Sequence, residues 1–187
     1  MKRIVVLLLT LSMGKLQAQF SETSTSLKAG IGYTHDFPGL NGYTAMAEYD
    51  IGLAKNIAGS IGAKRADITG YPRTTQVQEF TKATTADFNL YWLPLQSETE
   101  LFRIGLGYSF SFYNVKRAYP LIVENDGTKT TTWPSTQTIG RTHGINLIAE
   151  YEYKIPETKF SMGLRGALYK AYTRTYFIGP TLGYELD

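Results

Sequence analysis

FRIGLGYSFSFY, residues 102–113, alternates apolar with small or polar residues without a break. Every second residue from Phe102 is aliphatic or aromatic, and the residues between them are Arg, Gly, Gly, Ser, Ser and Tyr. Strict period-two alternation indicates a β-strand with one apolar and one polar face. The run is longer than a typical globular strand and is about as long as a strand that crosses a bilayer at a tilt. It therefore predicts a membrane-spanning strand.

The same alternation recurs along the chain with unequal clarity. Seven further segments carry it: 27–35, 43–53, 57–67, 87–92, 145–154, 160–169 and 176–186. Eight strands are an even number, so the two termini of the barrel chain lie on the same side of a membrane. The predicted fold is all-β, an eight-stranded antiparallel up-and-down transmembrane β-barrel.

The first residues have the layout of a secretory signal. Lys2 and Arg3 precede an apolar stretch from residue 4 to residue 13, which is too short for a spanning helix, and small or polar residues surround Ala18. We expect a cleavable signal peptide at residues 1–19, with cleavage after Ala18 or Gln19. Residues 20–187 then form one outer-membrane β-barrel domain.

The excess of basic over acidic residues in the whole chain comes from this leader. The chain has 19 Lys and Arg against 16 Asp and Glu, and the leader holds three of the cations, Lys2, Arg3 and Lys15, but no acid. Because 16 cations and 16 acids remain, the composition predicts no nucleic-acid partner. The chain has no cysteine, which excludes disulfides and thiolate metal sites. We predict no cofactor and no metal site.

The connections between the segments alternate in length. Those at 54–56, 94–100 and 155–159 are short, those at 68–84 and 114–140 are long, 36–42 is intermediate, and 170–174 is a short exception. Short periplasmic turns and long external loops are typical of outer-membrane barrels, so we expect periplasmic termini and external loops at 68–84 and 114–140. Within the larger loop, Asn125-Asp126-Gly127 predicts a hairpin between residues 121–123 and 128–132.

The apolar faces carry aromatic residues near the strand ends. Girdles of this kind are expected at both interfaces of a membrane barrel. The alternative, core aromatics of a soluble sandwich or lipocalin-like barrel, does not explain the unequal connections. The predicted girdle residues are Tyr33, Tyr43, Phe110, Phe112 and Tyr176 at the outer rim and Tyr49, Trp92, Phe102, Tyr151, Tyr153, Phe160 and Tyr184 at the inner rim.

The opposite faces carry charges of both signs. Side chains fill the lumen of an eight-stranded barrel, so an ion-pair network that satisfies a polar interior is favoured over an ion path or a catalytic carboxylate pair. The inward glycines leave room for the long charged chains. The predicted lumen network is Lys28, Glu48, Asp50, Lys64, Asp87, Arg103, Glu150, Glu152, Lys154, Arg165 and Glu185.

The two histidines are the candidates for catalysis. His35 ends the first segment and His143 precedes the sixth, so both are expected near the external rim. Acyl transfer needs a hydroxyl beside a base with an orienting carboxylate, for which Ser109, Ser111 and Asp36 are available. No Ser-His spacing within one strand directs the two at a common point. We predict interfacial polar histidines and no catalytic residue.

Four stretches carry a resemblance to a known class: YTAMAEYDIGL, RIGLGYSFSFY, INLIAEYEYKI and IGPTLGYEL. With the leader, they resemble the small eight-stranded outer-membrane barrels of the OmpA/OmpX-like superfamily, also described as porin-family proteins of Gram-negative bacteria. The resemblance implies contact with outer-membrane lipid including lipopolysaccharide, and with the barrel-assembly machinery during biogenesis. Members usually end in an aromatic residue that this machinery recognises, whereas here Tyr184 and Leu186 would serve.

The resemblance leaves three functions open. The leading hypothesis is a non-enzymatic barrel with a structural or protein-interaction role, with a protein partner in a larger outer-membrane complex. The second is a lipid-modifying enzyme resembling the lipid A deacylase or acyltransferase barrels, and the third is narrow passage of a small solute. Pro180 interrupts the last segment. Because proline lacks a ladder donor, it predicts a bulge, a weakened seam or a contact with another subunit.

Overall fold

A computed structural model describes residues 24–72, 77–125 and 128–186. The predicted signal peptide and its cleavage site lie outside the described residues, as do Asp126 and Gly127 of the predicted turn. No helix in the described part of the chain is long and apolar enough to cross a membrane.

The described residues form ten strands. Their bounds are β1 Thr25–Asp36, β2 Asn41–Ala54, β3 Ile57–Gly70, β4 Glu79–Gln96, β5 Glu100–Ala118, β6 Leu121–Asn125, β7 Thr128–Thr132, β8 Ser135–Lys154, β9 Phe160–Lys170 and β10 Arg174–Glu185. Eight of them close into an antiparallel ring in the order β1-β10-β9-β8-β5-β4-β3-β2, and β6 pairs only with β7. The predicted eight-stranded up-and-down barrel is confirmed.

The two ends of the barrel differ in their connections. At one end lie the connections 37–40, 71–78, 119–134 and 171–173, and we call this the arm end. At the other, the terminal end, lie the turns 55–56, 97–99 and 155–159 together with the two ends of the barrel chain. At the terminal end of the closing pair, Ser26 of β1 lies opposite Glu185 of β10.

Both predicted long loops are shorter than expected. The prediction of a loop at 68–84 is wrong at its ends, since Gly70 pairs with Glu79 and only 71–78 connects the strands. The prediction of a loop at 114–140 is wrong in the same way, since Ala118 pairs with Ser135. Threonine-rich sequence suits a strand, and the continued ladder satisfies the backbone. The hairpin within the larger connection is confirmed as β6 and β7, which pair from Leu121–Thr132 to Asn125–Thr128.

The wall of the barrel is taller on one side. Strands β4, β5 and β8 have 18, 19 and 20 residues, whereas β1, β9 and β10 have 12, 11 and 12. The β8–β9 ladder begins only at Ile145, opposite Lys170. Residues 135–144 of β8 therefore pair with β5 on one side and with no described strand on the other. We call β6, β7 and the arm-end halves of β5 and β8 the arm.

The two faces of the wall follow the period-two pattern. Leu106 on the outer face is 65% exposed, and Arg103 on the inner face is 2% exposed. Other outward aliphatic residues, such as Ile31, Ile145 and Leu182, are more than half exposed. The protein thus has an apolar outside and a polar inside, the reverse of a water-soluble domain.

Pro180 lies on the outer face in the middle of β10, at the seam that closes the ring. It pairs with Leu164 of β9, while the β1–β10 ladder has no pair at Ile31 and Gly32. Proline has no N–H group, so the hydrogen bond that the ladder lacks at this position is one between β10 and β1. A Cβ added to Gly32 would lie 2.6 Å from the Cα of Gly179, so the two backbones are closely apposed where the ladder is interrupted.

Candidate functional site

Glu150 lies at the centre of the lumen between two arginines. Arg103 donates to its Oε2 from Nε at 3.0 Å and from Nη2 at 2.6 Å. Arg165 donates to the same oxygen from Nε at 2.8 Å, and Thr181 donates to Oε1 at 2.9 Å. Strands β5, β8, β9 and β10 each place one of these inward residues, which the register brings to one level of the barrel.

Glu48 and Asp50 extend this cluster across the lumen from β2. Arg103 donates to Asp50 Oδ2 at 2.7 Å, and Arg165 forms an ion pair with Glu48. Tyr91 donates to Glu48 Oε1 at 2.6 Å, and its ring lies 4.1 Å from the Arg103 guanidinium carbon. Every charge here has an opposite charge and at least one hydrogen bond, which is what buried ions need in order to be tolerated.

Lys64 and Lys28 complete the network, Lys64 above this layer toward the arm end and Lys28 below it toward the terminal end. Lys28 pairs with Glu152 and lies 3.3 Å from Asp50. Lys64 donates to both Asp87 oxygens at 2.9 Å, and its ammonium lies 3.4 Å from the centre of the Tyr169 ring. These contacts make the interior one connected polar assembly.

The structure brings most of the predicted lumen residues together. Asn146 donates to Asp87 at 3.0 Å and to Asn89 at 3.2 Å, and Asn89 donates to Glu48, which joins the Lys64–Asp87 pair to the central cluster. Lys154 and Glu185 lie apart at the terminal end. Their charged atoms are 3.7 Å apart and their side chains are 40% and 38% exposed, so they form an ion pair of their own that faces the lumen outside the buried part of the network.

A second buried ion cluster closes the arm end. Arg117 donates to Asp36 Oδ2 at 2.6 Å and to Thr81 Oγ1 at 2.6 Å, and its Nε lies 3.7 Å from Glu79. The Leu40 amide donates to the other Asp36 oxygen at 2.9 Å. The cluster joins β1, β4 and β5 above the central network.

Sequence reasoning missed this second cluster because it ended the segments too early. Asp36 continues the inward positions of β1, Glu79 those of β4, and Arg117 those of β5. Counting onward in steps of two residues from the inward positions of each segment would have placed all three inside. Beside them, Tyr172 in the β9–β10 turn stacks on Tyr113 at 5.8 Å, and burial raises the pKa of its phenol above the ordinary value.

Free space in the lumen is distributed unequally. Two spaces at and above the central network measure about 10 Å³ each, which is no more than the space for one water molecule. At the terminal end a cavity of about 1110 Å³ opens below Lys28, Asp50 and Arg103. The described side chains thus form a closed-ended vestibule, and passage of a small apolar solute through a lateral opening stays a prediction.

The residues weighed for catalysis do not meet. Ser109 and Ser111 face the lumen and are 1% and 0% exposed, and Ser111 shares a hydrogen bond with Thr85. His143 is exposed on the outer face, where it stacks on Tyr108. Two faces of one wall separate these serines from that histidine.

The other proposed elements of a catalytic group are engaged elsewhere. His35 shares a hydrogen bond of 2.7 Å with Asn41, and Asp36 is held by Arg117. In the described residues no group of three or more His, Cys, Asp or Glu is placed to hold a metal ion. The lipid-modifying hypothesis therefore gains no supporting geometry.

The predicted girdle residues all lie on the outer face of the barrel. Near the arm end Tyr33 lies opposite Tyr43, and at the terminal end Phe102 lies opposite Tyr151 and Phe160 opposite Tyr184. Phe102 and Phe110 are half-buried, and the others are exposed: Tyr33, Tyr43, Tyr49, Trp92, Phe112, Tyr151, Tyr153, Phe160, Tyr176 and Tyr184. Between these rows lies the aliphatic belt, which has the arrangement of a lipid-facing surface.

The closed ring, the filled lumen and the aliphatic belt define a class: an integral β-barrel of the outer-membrane type. Solved structures share the fold. Neisserial surface protein A (NspA) matches with a TM-score of 0.59 and 9% identity, over 88% of this chain and 97% of that one. Ail, the attachment invasion locus protein of Yersinia pestis, matches with a TM-score of 0.55 and 10% identity, over 89% of this chain and 100% of that one.

The N-terminal β-barrel domain of Pseudomonas aeruginosa OprF matches with a TM-score of 0.51 and 11% identity, over 88% of this chain and 100% of that one. No protein-family model and no curated protein sequence matches the chain. The likeness lies in the fold: the chain is built like these small outer-membrane barrels.

Proposed function

We propose that the protein is a non-enzymatic outer-membrane barrel that binds a partner protein through its arm. The observation that carries this proposal is the free edge of β8 at residues 135–144. The arm end faces the outside and both termini face the periplasm in this proposal. This orientation is supported by the short turns of the terminal end and the 16-residue connection at 119–134, because outer-membrane barrels have short periplasmic turns and longer external loops.

The free edge has the chemistry of a strand-addition site. An edge strand presents unpaired N–H and C=O groups to any extended segment, and proteins usually block it with proline, charge or a bulge. Residues 135–140 of this edge read STQTIG and contain neither proline nor charge, and Arg141 is the one Asp, Glu, Lys or Arg in residues 135–144. The partner we infer is therefore an extended segment of another protein that adds as a strand beside β8.

Apolar residues in the arm offer side-chain contacts. Leu121, Ile122 and Val123 of β6 are 52%, 66% and 44% exposed, and Ile139 of β8 is 74% exposed. Consecutive strand residues point to opposite faces, so both faces of the β6–β7 hairpin are apolar on the β6 side. Exposed apolar groups of this kind, beyond the aliphatic belt, mark an interaction surface.

The sealed lumen supports the same conclusion. The central network and the Arg117 cluster fill the barrel between the vestibule and the arm end, which leaves anchorage as its contribution. An anchored platform with an exposed edge can hold a partner at the cell surface without conducting or modifying anything.

Proline substitution tests the edge. Neighbouring strand residues direct their N–H groups to opposite sides, so one of Thr138→Pro and Ile139→Pro removes a donor from the free edge and the other removes one from the β5 ladder. Each full-length variant is purified from native membranes after confirming heat-modifiable migration. The partner should be lost from the free-edge variant. Retention of the partner by both variants would show that strand addition is wrong.

Cysteine labelling tests the orientation. The chain has no cysteine, so single substitutions report one position each. Lys129→Cys in β7 should react with a membrane-impermeant maleimide on intact cells, whereas Glu157→Cys in the 155–159 turn should react only after the membrane is opened. The reverse result would contradict the proposed orientation.

A further inference from the structure

Two cations face each other on the outer wall of the barrel at the arm end. Lys170, the last residue of β9, lies directly opposite Arg174, the first residue of β10, and both are exposed. Directly opposed side chains on one face have Cβ atoms about 4.5–5.5 Å apart, and like charges there are destabilising. Neither side chain has an ion-pair partner among the described residues.

An arginine and a histidine lie on the neighbouring strand, β8. Lys170 is also opposite Ile145 of β8, and His143 and Arg141 follow on the same outward face, two and four residues further toward the arm. Arg141 is exposed and has no described ion-pair partner either. We call Arg141, Lys170 and Arg174, beside which His143 lies, the cation patch.

The surroundings of the cation patch are aromatic and aliphatic. The Arg174 guanidinium carbon lies 5.6 Å from the centre of the Phe37 ring. The next outward pair toward the membrane is Leu168 opposite Tyr176, both nearly half exposed. The patch is therefore continuous with the lipid-facing belt, as a site for a lipid headgroup must be.

Charge is distributed unevenly between the two rims of the outer wall. Among the described residues of the barrel strands, six outward cations at the arm end accompany one outward carboxylate, Asp67, which is 3.4 Å from Lys82. At the terminal end Glu100 faces outward and accepts a hydrogen bond from Tyr151. The six arm-end cations are Arg65, Lys82, Lys116, Arg141, Lys170 and Arg174.

The patch is also accessible from outside the barrel. The connection between β9 and β10 is only 171–173, so the chain does not fold over Lys170 and Arg174. On the far side of the rim, Arg65 donates to Thr84 at 2.6 Å and Lys82 pairs with Asp67. Of the other four arm-end cations, three lie on β8, β9 and β10, and Lys116 lies on β5.

We propose that the cation patch binds the phosphate of a phosphorylated lipid of the leaflet around the arm end. A phosphate oxygen shared by Lys170 and Arg174 would turn their repulsion into two charge-assisted hydrogen bonds. Acyl chains of the same lipid would lie along Leu168 and Tyr176. The choice of a lipid A-type headgroup rests on the outward orientation proposed above, whereas the patch itself does not depend on the arm binding a protein.

Native mass spectrometry of the full-length barrel tests this site. The probes are diphosphorylated lipid A, the same lipid without phosphates, and inorganic phosphate as a competitor. The wild type should retain one phosphorylated lipid at least tenfold more tightly than the dephosphorylated one, and Lys170→Gln/Arg174→Gln should lose this preference. Equal retention of both lipids, or release of the lipid by millimolar inorganic phosphate, would overturn the proposal.

A matched control separates a site from general attraction to anionic lipid. Arg65→Gln/Lys116→Gln removes two cations from the same rim on β3 and β5, away from the patch. This variant should keep the phosphate preference to within twofold. An equal loss in both double variants would mean that only the summed charge of the rim matters, and would overturn the specific site.

A third variant keeps the test independent of folding losses. Lys170→Glu places an opposite charge beside Arg174 and supplies internally what the phosphate supplies from outside. In vesicles of zwitterionic lipid alone, it should unfold at a higher urea concentration than the wild type and retain no lipid A preference. Unchanged lipid A retention by Lys170→Glu would overturn the proposal.

Discussion

The lumen and the arm place opposite chemistries against their surroundings. In the lumen, Arg103 and Glu150 are 2% and 1% exposed and are satisfied by each other, whereas in the arm Ile122 and Ile139 are 66% and 74% exposed. Closely spaced, paired charges fill the lumen, whereas the arm has an unpaired strand edge and exposed aliphatic residues. Substitutions in each region should therefore affect different measurements.

The largest effect is expected at the centre of the network. Arg103→Met removes one partner from each of Asp50 and Glu150, and breaking a buried pair by deleting one member costs about 3–5 kcal/mol. Urea unfolding in lipid vesicles, followed by the heat-modifiable gel shift, measures the free energy of unfolding. A loss below about 1 kcal/mol would show that the lumen charges do not stabilise the barrel.

The exposed pair at the terminal end is the control for this substitution. Lys154→Met breaks the Lys154–Glu185 pair, whose side chains are about two-fifths exposed. Such pairs contribute about 0–1 kcal/mol, so Lys154→Met should change the unfolding midpoint only slightly. The contrast depends on burial, because both substitutions remove one cation from an ion pair.

This difference also shows how far the sequence predicts the molecule. Alternation in residues 102–113 and their counterparts predicts the ring, the faces and most of the central network, because period two is read directly from the residues. It did not separate Lys154 and Glu185 from the buried part of that network. Their inward register is the same as that of Lys28, and only the height in the barrel, which depends on register between strands, distinguishes them.

The second cluster and the free edge lie beyond what the sequence alone predicted. Asp36, Glu79 and Arg117 come from three strands that extend past the apolar segments, where no alternation of hydrophobicity marks the strand. The β8 edge exists because β9 stops at Lys170 while β8 continues. Differences in length between neighbouring strands are a property of pairing and are not written in either strand by itself.

The next effect is expected at this second cluster. Arg117→Ala leaves Asp36, whose side chain is 0% exposed, without its cation. An unsatisfied buried charged group costs upward of about 1–3 kcal/mol, so we expect a loss of about 3 kcal/mol in the same unfolding assay. In planar bilayers the variant should still carry no ionic current, because the central network remains. Measurable conductance would show that Arg117 and not the central network closes the lumen.

A smaller effect is expected at the barrel seam. A methyl group on Gly32 would meet the Gly179 backbone and the Phe177 ring, whereas nothing lies within 4 Å of one on Gly166. Overpacking costs about 1–3 kcal/mol, so Gly32→Ala should destabilise the barrel while Gly166→Ala leaves it nearly unchanged. Equal stability of the two variants would mean that β1 and β10 can separate at Pro180 without cost.

The smallest effect on stability, and the largest on the proposed function, is expected in the arm. Ile122 is exposed in a two-stranded sheet that pairs with no strand of the barrel, so Ile122→Lys should change the free energy of unfolding by less than about 0.5 kcal/mol. The same substitution places a charge on the apolar face offered to a partner and should release the protein that co-purifies from native membranes. Thr130→Lys, on the facing strand β7 but without an apolar side chain to lose, is the matched control and should retain it. If both variants keep the partner while Arg103→Met loses it, binding depends on the intact barrel and the separation of stability from recognition is wrong.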